Sequence, residues 1–165
     1  NDPVARTYLR RYDHYLATGI HESSGEVTLD IQWNDSFATG NTEIDGQHRM
    51  LFENSSKFIN SVKNGGSLAE LQTIMDFLGG YVAEHFETEE RIMQEADYPF
   101  LQMQIEQHRR FSRHLKAFVN EISRSLENHR AFMLFRTQIL LVDWLVNHTY
   151  RLDRHFGRYL ASVPH

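Results

Sequence analysis

Cysteine is absent from the 165 residues. That absence excludes disulfides, thiolate metal sites and cysteine nucleophiles together, and it fits a cytoplasmic protein. Long apolar runs are also missing. The longest, Ile139 to Val146, is interrupted by Asp143 and falls well short of the roughly 20 residues a membrane span needs. Positive charge is not in excess: the formal net charge is -5, whereas a nucleic-acid surface would present a basic stripe. There is no Gly-rich phosphate loop, no internal repeat and no low-complexity tract. An initiator methionine and a signal-peptide pattern are missing too, so a chain that opens on Asn1 reads as a piece of a longer protein. What the chain has in abundance is histidine, ten in all, which makes metal binding the first question.

Apolar spacing predicts four amphipathic helices. The first begins near Glu43 or Asp45 and stops before Asn64-Gly65-Gly66; His48 shares its stripe with Leu51, Phe52, Phe58, Ile59 and Val62. The second starts at the capping box Ser67-Leu-Ala-Glu70 and runs to about Ala96. The third has Pro99 in its first turn and carries His108 among Leu101, Ile105, Phe111, Leu115 and Phe118. The fourth runs from about Arg130 past Tyr150 and offers Leu141, Trp144, Leu145 and His148 to a core. Short connections between such helices predict an all-α, up-down-up-down four-helix bundle over residues 33–165. Residues 1–32 stand apart as an N-terminal arm or linker, with a short helix possible over Val4–Leu16 and weak alternation over Val27–Ile31.

Each predicted helix offers one inward histidine: His48, His85, His108 and His148. Glu89 lies four residues after His85, hence on the same helical face. One core histidine is ordinarily a satisfied hydrogen-bonding residue. Four of them with a buried carboxylate make the interior of a bundle a metal site. Asp153 is the weakest member by spacing. Five residues after His148 is about 500° of helical turn, so the two side chains should not stack. On geometry alone Asp153 is as readily a solvated aspartate near a helix end.

Taken together, Ile44-Asp-Gly-Gln-His48, His85-Phe-Glu-Thr-Glu89, Tyr98-Pro99 followed by His108, and Trp144-Leu-Val-Asn-His148 with Asp153 resemble the hemerythrin family, most of all its bacterial branch. The similarity covers about Trp33 to Phe156. It implies a non-haem di-iron centre with a bridging oxo or hydroxo group, which binds O2 or another small exogenous ligand. Carried over position by position, His48 and His85 would ligate one iron, His108 and His148 the other, and Glu89 and Asp153 would bridge them. Leu51, Phe52, Phe111 and Trp144 lie within a turn of these residues. They could line an oxygen pocket as well as pack the core.

The chain departs from the family pattern at one place. Where a further histidine is expected four residues before His108, Gln104 stands instead. An amide is a weaker ligand than imidazole for a transition metal, so a more open centre that oxidises readily is expected. In this family such domains are fused to signalling modules such as diguanylate cyclases and chemotaxis receptors. The resemblance and Gln104 therefore favour an oxygen or redox sensor for an attached output domain, itself not catalytic. Oxygen storage or transport is the alternative. A ferritin-like oxidase is disfavoured, because no Glu-x-x-His pair of the required kind accompanies the histidines.

Overall fold

A computed structural model describes residues 31–122 and 138–163. Helix α1 spans Thr42–Lys63, α2 Leu68–Glu95 and α3 Leu101–Ile122. A fourth helix is assembled from four segments end to end. Gln138–Asp143 is π-helical, Trp144–His148 α-helical, Thr149–Asp153 π-helical again, and Arg154–Ser162 α-helical. A single 3-10 turn, Asp35–Phe37, precedes α1. No strand occurs among the described residues. Helix α2 packs against both α1 and α3, and the fourth helix returns against α3, as expected for an up-down-up-down bundle. The expected helix of the arm and the expected start of the fourth helix near Arg130 lie outside the described residues.

Local chemistry sets the boundaries. The Asn41 side chain caps α1 by accepting from the backbone N–H groups of Glu43 and Ile44. Asp45 fixes the preceding loop: one carboxylate oxygen accepts from the Thr39 backbone and hydroxyl at 2.7 and 2.8 Å, the other from Gly40 N–H at 3.2 Å. Gly65, at φ 81°, takes the left-handed conformation that ends α1. Ser67 caps α2 by accepting from Glu70 N–H at 3.2 Å. The reciprocal half of the expected capping box does not form, because the Glu70 carboxylate accepts from the Ser61 hydroxyl at 2.8 Å instead. The side chains of α2 run on beyond Gly79 and Gly80, and nothing approaches the position of a Cβ at either glycine. They are not close-packing points.

Two apolar clusters fill the interior. The larger contains Leu51, Phe58, Met75, Val82, Phe86, Phe111, Phe118 and Trp144, joined by Ile31 and Phe37 from the segment ahead of α1. The smaller contains Ile44, Met93, Tyr98 and Phe156. Along every helix the two clusters are separated by the polar residues of interest: Ile44 and Leu51 flank His48, Phe86 and Met93 flank Glu89, and Trp144 and Phe156 flank His148 and Asp153. A polar layer therefore crosses the bundle between two dry layers.

Gly157 ties the ends of the described structure together. A Cβ at this position would collide with the Thr39 backbone carbonyl. The loop before α1 thus lies directly on the fourth helix, where only glycine fits. Gly157→Ala should force these backbones apart and lower stability by about 1–3 kcal/mol, the usual range for overpacking. Urea unfolding of the variant checks this; an unchanged midpoint would show that the loop yields freely.

Candidate metal centre

Four helices each contribute to the polar layer because each carries a histidine on its apolar stripe. His48, His85, Glu89, His108, His148 and Asp153 are all buried, and both carboxylates are 0% exposed. Within the layer, His48 Nε2 lies 3.3 Å from Asp153 Oδ2, and His148 Nε2 lies 3.2 Å from Asp153 Oδ1. Asp153 therefore presents one oxygen to a histidine of α1 and the other to a histidine of the fourth helix. Glu89 Oε2 sits between His108 Nε2 at 3.3 Å and His85 Nε2 at 3.9 Å. Two groups of donor atoms result, each lying within 4.8 Å of one another: His48, His85, Glu89 and Asp153, and Glu89, His108 and His148. Glu89 belongs to both.

The position of Asp153 corrects the reading from spacing. An α-helical path would have turned Asp153 away from His148. The turn Thr149–Asp153 is π-helical, closing i to i+5 rather than i to i+4, and it brings residues five apart back onto one face. Single π turns of this kind recur where a side chain must be re-aimed at a functional site.

Groups behind the histidines hold their rings. His85 Nδ1 faces Gln47 Oε1 at 3.1 Å, and the Gln47 amide in turn donates to the Thr88 hydroxyl at 3.1 Å. His108 Nδ1 faces Glu90 Oε1 at 2.8 Å. Such partners at the outer nitrogen leave Nε2 free to face inward as a ligand. Aromatic stacking fixes the ring planes further: Phe86 lies on His108 at 3.9 Å and Trp144 on His148 at 4.2 Å. His48 has no hydrogen-bond partner on either nitrogen, and Trp33 stacks on it at 5.9 Å. Gln47 and Glu90 were not legible as site residues. Neither lies on an apolar stripe, and Glu90 acts across 18 residues of sequence on a neighbouring helix.

Burial and close neighbours set the electrostatics of the layer. Burial pushes the Glu89 carboxyl well above the usual range, and the charge of Asp153 pushes it further. Burial would raise Asp153 too, but His148 and His48 pull it well below the usual carboxylate range. Burial and the neighbouring His48 hold His85 well below an ordinary histidine. Both oxygens of Glu89, both nitrogens of His48 and one oxygen of Asp153 have no hydrogen bond although they are shielded from water. Orphaned buried donors and acceptors of this kind are costly unless a ligand satisfies them. Neutral imidazoles and carboxylates in this ratio suit iron, and the residues fit a pair of such ions.

Gln104 is also fully buried. Its amide nitrogen donates to Asp153 Oδ1 at 3.4 Å, while its carbonyl oxygen has no partner. Of the residues expected to line a ligand pocket, Leu51, Phe111 and Trp144 border a cavity of about 10 Å³ next to His85, His148 and Asp153. Phe52 instead packs on Phe37 and Trp33, at 4.8 and 5.7 Å. Phe86, Ser55 and Thr149 also line it, with Leu78, Val82, Leu141 and Leu145, and were not anticipated. His155 lies outside the site: it is exposed and pairs with the Tyr98 hydroxyl at 2.7 Å.

Comparison with known proteins agrees with this geometry. Residues 39–160 match the Hemerythrin HHE cation binding domain. Among similar proteins, a bacteriohemerythrin of Clostridium acetobutylicum is 29% identical over 128 residues, covering 75% of this chain and 96% of that protein. A bacteriohemerythrin of Pseudomonas paraeruginosa is 28% identical over 137 residues, 82% of each chain. A myohemerythrin of Riftia pachyptila is 27% identical over 130 residues, covering 79% of this chain and 93% of that protein. With a match over most of its length and a buried layer of histidines and carboxylates able to hold two metal ions, the chain belongs to the hemerythrin family and is a di-iron, oxygen-binding four-helix bundle.

Proposed function

We propose that His48 and His85 hold one iron and His108 and His148 the other, with Glu89 and Asp153 bridging the pair. We further propose that the domain reports oxygen or redox state to an output domain, such as a diguanylate cyclase, within a longer protein. The chemistry a bound iron pair supplies is the binding and two-electron reduction of dioxygen. The residues of the chain supply everything around it. Glu89 and Asp153 bring two negative charges to a dry layer. Gln47 and Glu90 fix the tautomers of His85 and His108. Phe86, Phe111 and Trp144 keep bulk water out.

One observation carries the sensor reading: the residue buried against Asp153 one turn before His108 is Gln104, not a histidine. Its amide donates toward a bridging carboxylate, which supports a role in orienting Asp153 rather than in binding metal. The His108–His148 half would then have two imidazoles, leaving room for solvent or a small ligand. Such a centre stores oxygen poorly and responds to it readily. The π turn between His148 and Asp153 offers a route outward. A change in the spacing of these two residues would tighten or relax that turn and shift Arg154–Ser162 beyond it.

Two measurements follow. Reduced protein exposed to air should become ferric quickly, and Gln104→His should slow that oxidation on the order of tenfold by completing the imidazole set. Wild-type protein that survives air as long as Gln104→His would favour oxygen storage instead. Glu89→Gln should fail to hold two irons per chain, yet stabilise the metal-free protein. The folded-state pKa of Glu89 is raised, so its contribution to stability is complete below the unfolded value of about 4.3 and is lost as pH rises. The advantage of metal-free Glu89→Gln over wild type should therefore grow above pH of about 4.3, by up to about 1.4 kcal/mol per pH unit. Thermal unfolding of both proteins across pH checks the sign, and a constant difference would contradict it.

A further inference from the structure

Thr149 follows His148 directly and opens the π-helical turn. Its side chain is 0% exposed, and its hydroxyl has no hydrogen-bond partner among the described residues. Both facts are unusual for a helical threonine, which commonly donates to the carbonyl four residues earlier. Thr73 does so in this same chain, to the Ala69 carbonyl at 2.9 Å. At Thr149, two upstream carbonyls, of Leu145 and Val146, are taken by the backbone N–H. Thr149 lines the cavity that His85, His148 and Asp153 also border. Apolar groups make up most of the remaining wall, among them Leu51, Phe86, Phe111 and Trp144. The cavity, about 10 Å³, has room for about one water-sized group, such as the outer end of a small ligand held at the centre.

A buried hydroxyl without a partner is destabilising by itself, so a residue of this kind next to a ligand cavity needs an acceptor inside that cavity. Valine has nearly the shape of threonine and would seal the same wall without the penalty. We propose that Thr149 is a specificity-determining residue, its hydroxyl donating a hydrogen bond to the acceptor atom of the small exogenous ligand that enters this cavity. The inference rests on the di-iron reading of the neighbouring histidines and carboxylates. The ligand class is small and rod-like with an electron-rich end: dioxygen, or an anion such as azide. A hydrogen bond to a charged acceptor is the stronger kind, so anions gain most from the hydroxyl. Gln104 does not border the cavity.

The probe is azide, titrated into iron-loaded wild-type, Thr149→Val and Thr149→Ser proteins and followed by its charge-transfer absorption. Iron content and metal-free melting temperature are measured alongside. All three proteins should hold two irons per chain. Thr149→Val should bind azide about tenfold more weakly, the loss of one hydrogen bond to a charged acceptor, and Thr149→Ser should recover to within about twofold. The metal-free melting temperature of Thr149→Val should equal or exceed that of wild type, since no bond within the protein is lost. Unchanged azide affinity in a Thr149→Val protein with two irons overturns the hydrogen bond and leaves the di-iron reading intact. A lowered metal-free melting temperature also overturns it, because the hydroxyl would then serve the fold. A wild-type protein that takes up no iron overturns both.

Discussion

Six ionisable side chains lie in one dry layer across this bundle, and the rest of the structure depends on how that layer is neutralised. A buried carboxylate with no hydrogen bond is among the least tolerable groups in a protein interior. Here two carboxylates at 0% exposure sit among four imidazoles, and Glu89 has no hydrogen bond on either oxygen. Apolar layers on either side supply the stability that permits such an arrangement. They also exclude the water that would otherwise satisfy it. The orphaned atoms of Glu89, His48 and Asp153 are thus the reverse of a packing fault. They are oxygen and nitrogen atoms of the kind that bind metal, and the fold shields them from solvent.

The fourth helix is where backbone geometry serves chemistry most directly. Its π turn brings Asp153 to within 3.2 Å of His148, and it places Thr149 on the wall of the adjoining cavity. A regular helix would send Asp153 elsewhere and leave Glu89 as the one carboxylate of the layer. Gly157, four residues past the end of that turn, lets the Thr39 loop lie against the same helix. Asp45 holds that loop to the start of α1. The irregular helix is therefore braced from outside as well as fastened within.

Much of this was legible in the residues. The limits of α1 and α2 follow closely from apolar period and the residues that flank it, whereas Pro99, expected in the first turn of α3, stands two residues ahead of its start at Leu101; the four histidines announce themselves by sitting on apolar stripes. The π turn was not legible, because periodicity assumes the regular helix that Asp153 violates; only resemblance to a family drew Asp153 into the set. Gln47 and Glu90 were missed because their partners lie on other helices, and no spacing rule links residues 38 or 18 apart. Phe52 shows the opposite failure. Its position one turn from His48 suggested the pocket, but tertiary packing turned it toward Phe37 and Trp33. Thr149 gave no signal at all, since a threonine inside a helix is ordinary until its hydroxyl is found without a partner.

The central claim is that one buried layer holds two irons, linked by Glu89 and Asp153, with two histidines to each. An anomalous difference map from crystals of iron-loaded protein, collected at the iron absorption edge, tests it most directly. The account predicts two peaks about 3.5–4 Å apart or closer, one beside His48 and His85 and one beside His108 and His148, with Glu89 and Asp153 reaching both. A single peak, or a second ion held by the Gln104 carbonyl oxygen, would contradict it.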